Sequence, residues 1–84
     1  MNPSKILKKI LAGNKVIRFE EMITLLNSYQ FYLSRTSGSH HIFVNRNVNK
    51  LINLQKVKGK TKPYQVNQFL KIIERYNLKM KEGE

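Results

Sequence analysis

Residues 36–44 read TSGSHHIFV, and this stretch decides how the middle of the chain folds. Gly38 adopts positive φ at low cost, so it marks a tight turn, and an apolar run follows it directly. The residues before the turn, 29–35, are rich in aromatic side chains. This pattern predicts a β-hairpin with its tip at Ser37 and Gly38 and with strands over residues 29–35 and about 40–45.

Three helices and one more strand complete the predicted order. Ser4 is the candidate N-cap of a first helix. The apolar spacing i, i+3, i+4, i+7 from Phe19 predicts a second helix that ends near residue 28. Pro63 suits the first turn of a last helix, and residues 50–56 form a third strand. The order helix, helix, three strands, helix predicts an α+β domain, with an antiparallel sheet covered by helices on one face.

The charge balance indicates a polyanionic partner. The 84 residues carry 16 Lys and Arg against 5 Glu and Asp, a formal net charge of +11. Such a chain suits nucleic acid, an acidic protein or an anionic membrane. The membrane is the weakest of the three, because the sequence has no long apolar segment and no signal-peptide pattern, so the predicted location is the cytoplasm. With no cysteine, disulfides and thiolate metal sites are excluded.

The carboxylates disfavour a metal-dependent nuclease. The chain has no Asp, and hydrolysis with Mg²⁺ or Mn²⁺ needs converging carboxylate ligands. Glu20 and Glu21 are neighbours on a predicted helix and diverge, while Glu82 and Glu84 lie near the C-terminus. No metal and no other cofactor is therefore predicted.

Lysines alternate just before the last helix, at Lys56, Lys58, Lys60 and Lys62. They lead into a helix N-terminus, whose free amides and dipole attract anions. The alternation predicts a phosphate-binding loop, here called the lysine loop. The simpler interpretation is a solvated loop that keeps the protein soluble.

The two histidines are candidates for acid–base chemistry. Cleavage of RNA without a metal needs a base for the 2′-hydroxyl proton, and histidine titrates nearest to neutral pH. Successive strand residues point to opposite faces, so His40 and His41 should not reach the same phosphate. Because side chains alternate along a strand, His40 should share a face with Ile42 and Val44, and these apolar neighbours favour burial of His40. The residue pattern alone leaves the choice of ring open.

The motif at Gly38, Ser39 and His40 resembles the Gly-Ser-His motif of the HicA toxin family, also called YcfA-like. The order of elements is also similar, down to a Lys-Pro pair that opens the last helix. The resemblance covers residues 19 to about 78. It implies a fold like the double-stranded RNA-binding domain, a ribosome-independent messenger RNA endoribonuclease, and an antitoxin partner of the HicB family.

The resemblance also implies roles for single residues. The family's catalytic histidine follows Gly-Ser directly, which corresponds to His40 in this chain. Gly38 would shape the turn and Ser39 would support it. His41 occupies a position where the family varies, and this resolves the choice of ring in favour of His40.

Two departures from the family pattern bear on the domain division. Residues 1–18 add a helix before the usual family unit. The third strand reads LINLQ, where many members carry a Val-Pro-rich run with a further histidine. The predicted division is therefore an N-terminal helical extension over 1–18, a HicA-like domain over 19–78 and a basic and polar tail over 79–84.

Three functional hypotheses follow. The first is a toxin endoribonuclease that binds messenger RNA through the lysine loop and cleaves it with His40 as general base. The second is a non-catalytic RNA-binding module of the same fold, which uses only shape and phosphate contacts. The third is an interaction protein whose positive charge serves an acidic protein partner.

Overall fold

Three helices and three strands follow one another in the predicted order. The structure, a computed structural model, describes residues 1–81. The elements are α1 Pro3–Leu11, α2 Phe19–Ser28, β1 Phe31–Ser37, β2 His40–Asn45, β3 Lys50–Gln55 and α3 Pro63–Arg75. The predicted α+β class is confirmed.

Prolines open two of the helices. In α1 the N-cap is Asn2, whose Oδ1 accepts a hydrogen bond from the Ser4 N–H at 2.9 Å. The prediction that Ser4 caps this helix was wrong, because Pro3 takes the first helical position, where no N–H is needed. In α3 the N-cap is Lys62, and Pro63 follows it in the first turn, as predicted.

The first strand begins later than the sequence pattern predicts. Tyr29 is the C-cap of α2 and lies in the core, not in the strand. Gln30 then takes a φ of 67°, which turns the chain out of the helix. The strand Phe31–Ser37 starts only after this turn.

The sheet is an antiparallel meander in the order β1-β2-β3. Its pairing is regular except for a bulge between Leu33 and Arg35, where Ser34 has no partner on β2. Side chains alternate along a strand, so the extra residue exchanges the two faces for the rest of β1. Arg35, not Ser34, therefore lies opposite Ile42.

The helices cover one face of the sheet and enclose a single core. Its buried apolar members are Ile6, Ile10, Ile17, Phe19, Met22, Leu25, Leu26, Tyr29, Phe31, Phe43, Ile52, Leu54, Val66 and Phe69. On the other face the side chains are half-buried or exposed, and Val44 and Leu51 of that face line a cavity that α3 also borders. We call this face of the sheet the open face.

Both ends of the described chain pack on this core. The helix α1 buries Ile6 and Ile10, so it shares the core of the remaining elements. In the predicted C-terminal tail, Met80 packs against the core and the Lys81 N–H donates to the Ser28 carbonyl at 2.6 Å. The last three residues of that tail lie outside the described residues.

Glu21 joins α1 to α2. Its carboxylate accepts from the Lys9 ammonium at 3.1 Å and from the Arg18 N–H at 3.0 Å. Burial raises the pKa of Glu21, but the bonds from Arg18 and Lys9 outweigh it, so the pKa lies below its ordinary value of 4.5.

Candidate functional site

The hairpin tip is a two-residue turn made by Gly38 and Ser39. Ser37 pairs with His40 across it, and Gly38 has a φ of 60° while Ser39 stays at negative φ. Positive φ at the first central residue alone is the pattern of a type II′ turn, which prefers glycine there. A Cβ on Gly38 would meet no atom within 4 Å, so the backbone conformation and not the space requires glycine. Gly38 thus sets the start of β2 and the position of His40.

The strand register arranges the open face in three cross-strand rows, because directly paired residues point to the same side. The rows are Tyr32–Val44–Leu51, Arg35–Ile42–Asn53 and Ser37–His40–Gln55. His40 shares a face with Ile42 and Val44, as parity predicts. The expected burial of His40 was wrong, because the helices pack on the opposite face, against Phe43.

His40 is exposed, and its ring makes a hydrogen bond to a side chain of β3. Its Nδ1 lies 3.1 Å from Oδ1 of Asn53, the diagonal neighbour on β3. With the amide oxygen as the acceptor in this contact, Nδ1 carries the hydrogen and the lone pair of the neutral ring is on Nε2. A ring in this tautomer, at an exposed corner of the sheet, can take a proton from a bound substrate.

His41 lies on the helix side and is half-buried. Its Nδ1 is 3.0 Å from the Ser39 carbonyl oxygen, and its ring packs edge-on against Phe19 with centroids 4.7 Å apart. The Lys56 ammonium lies 5.5 Å from the centroid of the same Phe19 ring. The structure therefore separates the two histidines, and His41 is partly enclosed by packing.

The lysine loop contains a small hairpin of its own. Val57 and Lys60 exchange both backbone hydrogen bonds at 3.0 Å. The two residues between them, Lys58 and Gly59, have φ of 51° and 77°, the pattern of a type I′ turn. The Phe19 N–H donates to the Gly59 carbonyl at 2.9 Å, which ties the loop to the start of α2. The lysines are thus carried on an ordered turn.

The loop starts beside the hairpin tip and leaves it on the helix side. The Lys56 N–H donates to the Ser39 carbonyl at 3.2 Å, so Lys56 meets the turn that precedes His40. Lys56, Lys58 and Lys60 are exposed, and Lys62 is half-buried. No ion pair involves these lysines within residues 1–81. Of the four, Lys56 contacts the turn before His40, and the others follow the loop towards α3.

Two residues of this corner were not predicted as site residues. Asn53 falls in the third strand, where the sequence departs from the family pattern, and only the strand register brings it to His40. Arg35 reaches the open face through the bulge, for which no local sequence signal exists.

A second basic site lies at the far end of the sheet from His40. It is a cavity of about 520 Å³ between the β2–β3 turn and α3, with Lys50, Lys71 and Arg75 near Tyr76, and it is also lined by Val44 and Leu51 of the apolar row.

The described residues offer neither a metal centre nor a membrane span. Within residues 1–81, no three side chains of His, Asp or Glu come together as a metal site would need. None of the helices in that part of the chain has the length and apolarity to cross a membrane.

Comparison with known proteins rests on one finding. Searches of curated protein sequences and of solved structures found no match. Residues 19–74, more than half of the chain, match the model of the HicA toxin of bacterial toxin–antitoxin systems. The matched region begins at α2 and contains Gly38, Ser39, His40 and the whole lysine loop, while α1 precedes it. The chain therefore belongs to the HicA toxin family.

Proposed function

We propose that this toxin is an endoribonuclease that cleaves messenger RNA without a metal ion, with His40 as general base. The observation that carries the proposal is the His40 ring itself. It is exposed beside the hairpin tip, and its Nδ1 lies 3.1 Å from Oδ1 of Asn53, which leaves Nε2 free to accept a proton.

The chemistry follows from that free nitrogen. Nε2 of His40 takes the proton of a ribose 2′-hydroxyl, and the resulting oxygen attacks the adjacent phosphorus. The bond to the 5′-oxygen breaks and that oxygen takes a proton from water, while His40 returns its proton to water. One product then ends in a 2′,3′-cyclic phosphate and the other begins with a 5′-hydroxyl. Lys56 meets the turn before His40 through its backbone N–H, and its flexible side chain, which rests over Phe19, has to swing towards the open face to supply positive charge to the crowded phosphate. A positioned base accounts for about 10²–10⁴ in rate.

The side-chain inventory supports a mechanism without metal. The chain lacks Asp and Cys, and the three glutamates within residues 1–81 do not form a converging set. Lysine and arginine then supply the positive charge that Mg²⁺ would supply in a carboxylate site.

The natural partner of such a toxin is its antitoxin, here proposed to be of the HicB family. An acidic antitoxin that covers the tip from Gly38 to His41 and presents carboxylates to the lysine loop would block substrate entry. We place the toxin's action in the cytoplasm, where messenger RNA is translated.

The test compares three purified proteins on one RNA in EDTA. The parent should cleave and leave 2′,3′-cyclic phosphate ends. His40→Ala should lose activity by about 10²-fold or more and keep its RNA affinity. His41→Ala is the matched control, because it removes the same ring from the other face, and its effect should be smaller and act through packing on Phe19.

All three proteins are assayed well below their measured melting temperatures, so that each one is folded during the comparison. Parent activity that disappears with EDTA and returns with Mg²⁺ would contradict the metal-free mechanism. Full activity in His40→Ala, together with loss of activity in His41→Ala, would mean that His41 on the helix side is the general base. RNA binding without cleavage by the parent would leave a non-catalytic RNA-binding module.

A further inference from the structure

We propose that the open face of the sheet is a platform for single-stranded RNA, on which a base stacks against Tyr32 a few nucleotides from the phosphate at His40. The position of that phosphate rests on the proposed function, whereas the platform rests on the composition and geometry of the face.

The first observation is a gradient of polarity across the face. The row at one end is apolar, and two of its members are well exposed: Tyr32 at 44% and Leu51 at 52%, with Val44 half-buried between them. The row at the other end is polar and contains His40. An exposed aromatic ring flanked by aliphatic side chains offers a flat surface for a nucleobase.

The second observation is the charge of the middle row. Arg35 lies there, between the apolar row and the row of His40, and makes no ion pair within the described residues. No glutamate belongs to any of the three rows. A strand of RNA along the face would thus meet an aromatic ring first, then a free guanidinium, then the histidine.

The third observation is the distance along β2 between the apolar row and His40. Val44 and His40 are four residues apart on β2, which corresponds to about 13 Å at the rise of an extended strand. A short stretch of single-stranded RNA covers this length. Past His40 the backbone N–H of Lys56 meets the same turn, so phosphates that pass round the hairpin tip can continue into the lysine loop on the helix side.

Charge favours RNA over a second copy of the chain as the occupant. Two copies that met through this face would each bring a formal charge of +11, and like charges oppose such a contact. RNA supplies the negative charge that the face and the neighbouring loop lack.

The experiment measures affinity for oligouridine with 2′-O-methyl groups, which cannot be cleaved by attack of a 2′-hydroxyl whichever residue is the base. Tyr32→Ala should weaken binding about tenfold, the size expected for the loss of one stacked base. Tyr32→Phe should restore it, because the ring and not the hydroxyl stacks. Leu33→Ala is the matched control, since Leu33 is the next residue, 53% exposed, but on the helix side.

Each of the other possible results supports or contradicts the RNA platform in a specific way. Unchanged affinity in Tyr32→Ala, or no oligouridine binding by the parent, would overturn the platform even if the parent cleaves RNA. Weaker binding in Lys71→Gln but not in Tyr32→Ala would place the RNA in the basic cavity beside Tyr76 and also overturn it. Tyr32-dependent self-association of the free protein would assign the face to a second copy. Tyr32-dependent binding by a parent that cleaves nothing would retain the platform and reject the nuclease.

Discussion

At the residue scale, the chemistry proposed for His40 depends on Asn53. The two side chains come from different strands and meet diagonally on the open face, where their hydrogen bond is exposed to water. A histidine without this acceptor could place its hydrogen on either nitrogen and rotate about its side-chain bonds. Asn53 is therefore a positioning residue, which acts on the reaction through the ring of His40.

Asn53→Ala should lower the cleavage rate roughly tenfold at saturating RNA, because a misplaced base costs rate even when substrate still binds. Asn53→Asp keeps an acceptor for Nδ1 and should retain more of the rate. The ¹⁵N shifts of the His40 ring report the tautomer directly, and in Asn53→Ala they should move towards a mixture. Asn49→Ala, an exposed asparagine in the β2–β3 turn, serves as control. A cleavage defect with unchanged ring shifts would mean that Asn53 acts on RNA and not on His40.

At the scale of elements, the lysine loop is a short hairpin anchored between the start of α2 and the N-terminus of α3. Its conformation is maintained by backbone hydrogen bonds, which involve none of the lysine ammonium groups. Substitutions of these side chains therefore change charge with little effect on the fold.

Replacement of Lys58, Lys60 and Lys62 by Gln should weaken RNA binding and flatten its salt dependence. Each lost phosphate contact removes about 0.7 from the slope of log K against log salt for a single strand, so the triple variant should lose about two. The matched control carries Gln at three exposed lysines elsewhere, Lys5, Lys8 and Lys79, with the same change in net charge. Equal slopes in the two variants would indicate that the loop lysines are only solvated surface.

At the scale of the whole molecule, the N-terminal helix is held by apolar packing and by the carboxylate of Glu21. The family match starts after α1, and we propose that residues 1–18 are an extension added to the family unit. This extension nonetheless completes the core, since Ile6 and Ile10 are buried in it. Loss of the Glu21 contacts should therefore reduce the stability of the entire protein.

Acidification tests this contribution of Glu21. Its pKa is lowered in the folded state, so the unfolded chain binds the proton more readily than the folded chain. The stabilisation is present above the ordinary value of 4.5 and is lost as pH falls through the lower folded value. Near neutral pH, Glu21→Gln should lower the free energy of unfolding in urea by about 1 kcal/mol. In acid, the free energies of unfolding of the variant and the parent should come closer together.

Glu20→Gln provides the reference for this prediction, because Glu20 is exposed, is next to Glu21 and makes no ion pair within the described residues. If the free energies of unfolding of Glu21→Gln and the parent differ by the same amount at neutral and at acid pH, the carboxylate charge does not link α1 to α2.

The sequence by itself determined the features that depend on local backbone preference. Gly38 marks the hairpin tip because a type II′ turn needs positive φ, and Pro63 marks the start of α3 because a first helical turn needs no N–H. The periodicity from Phe19 predicts α2 over the range that the structure shows. These backbone preferences act over a few consecutive residues, so they can be recognised from the amino-acid sequence alone.

Only the tertiary structure decided which face of the sheet is open. Strand alternation groups His40 with Ile42 and Val44, but helix packing determines which face is buried, and the helices pack where Phe43 completes the apolar core. The bulge at Ser34, which turns Arg35 to the open face, has no local signal, because it arises from pairing with β2. The contact between His40 and Asn53 likewise joins residues thirteen positions apart. Strand register and helix packing are long-range interactions, and they brought the candidate base, its positioning residue and the free guanidinium to one surface.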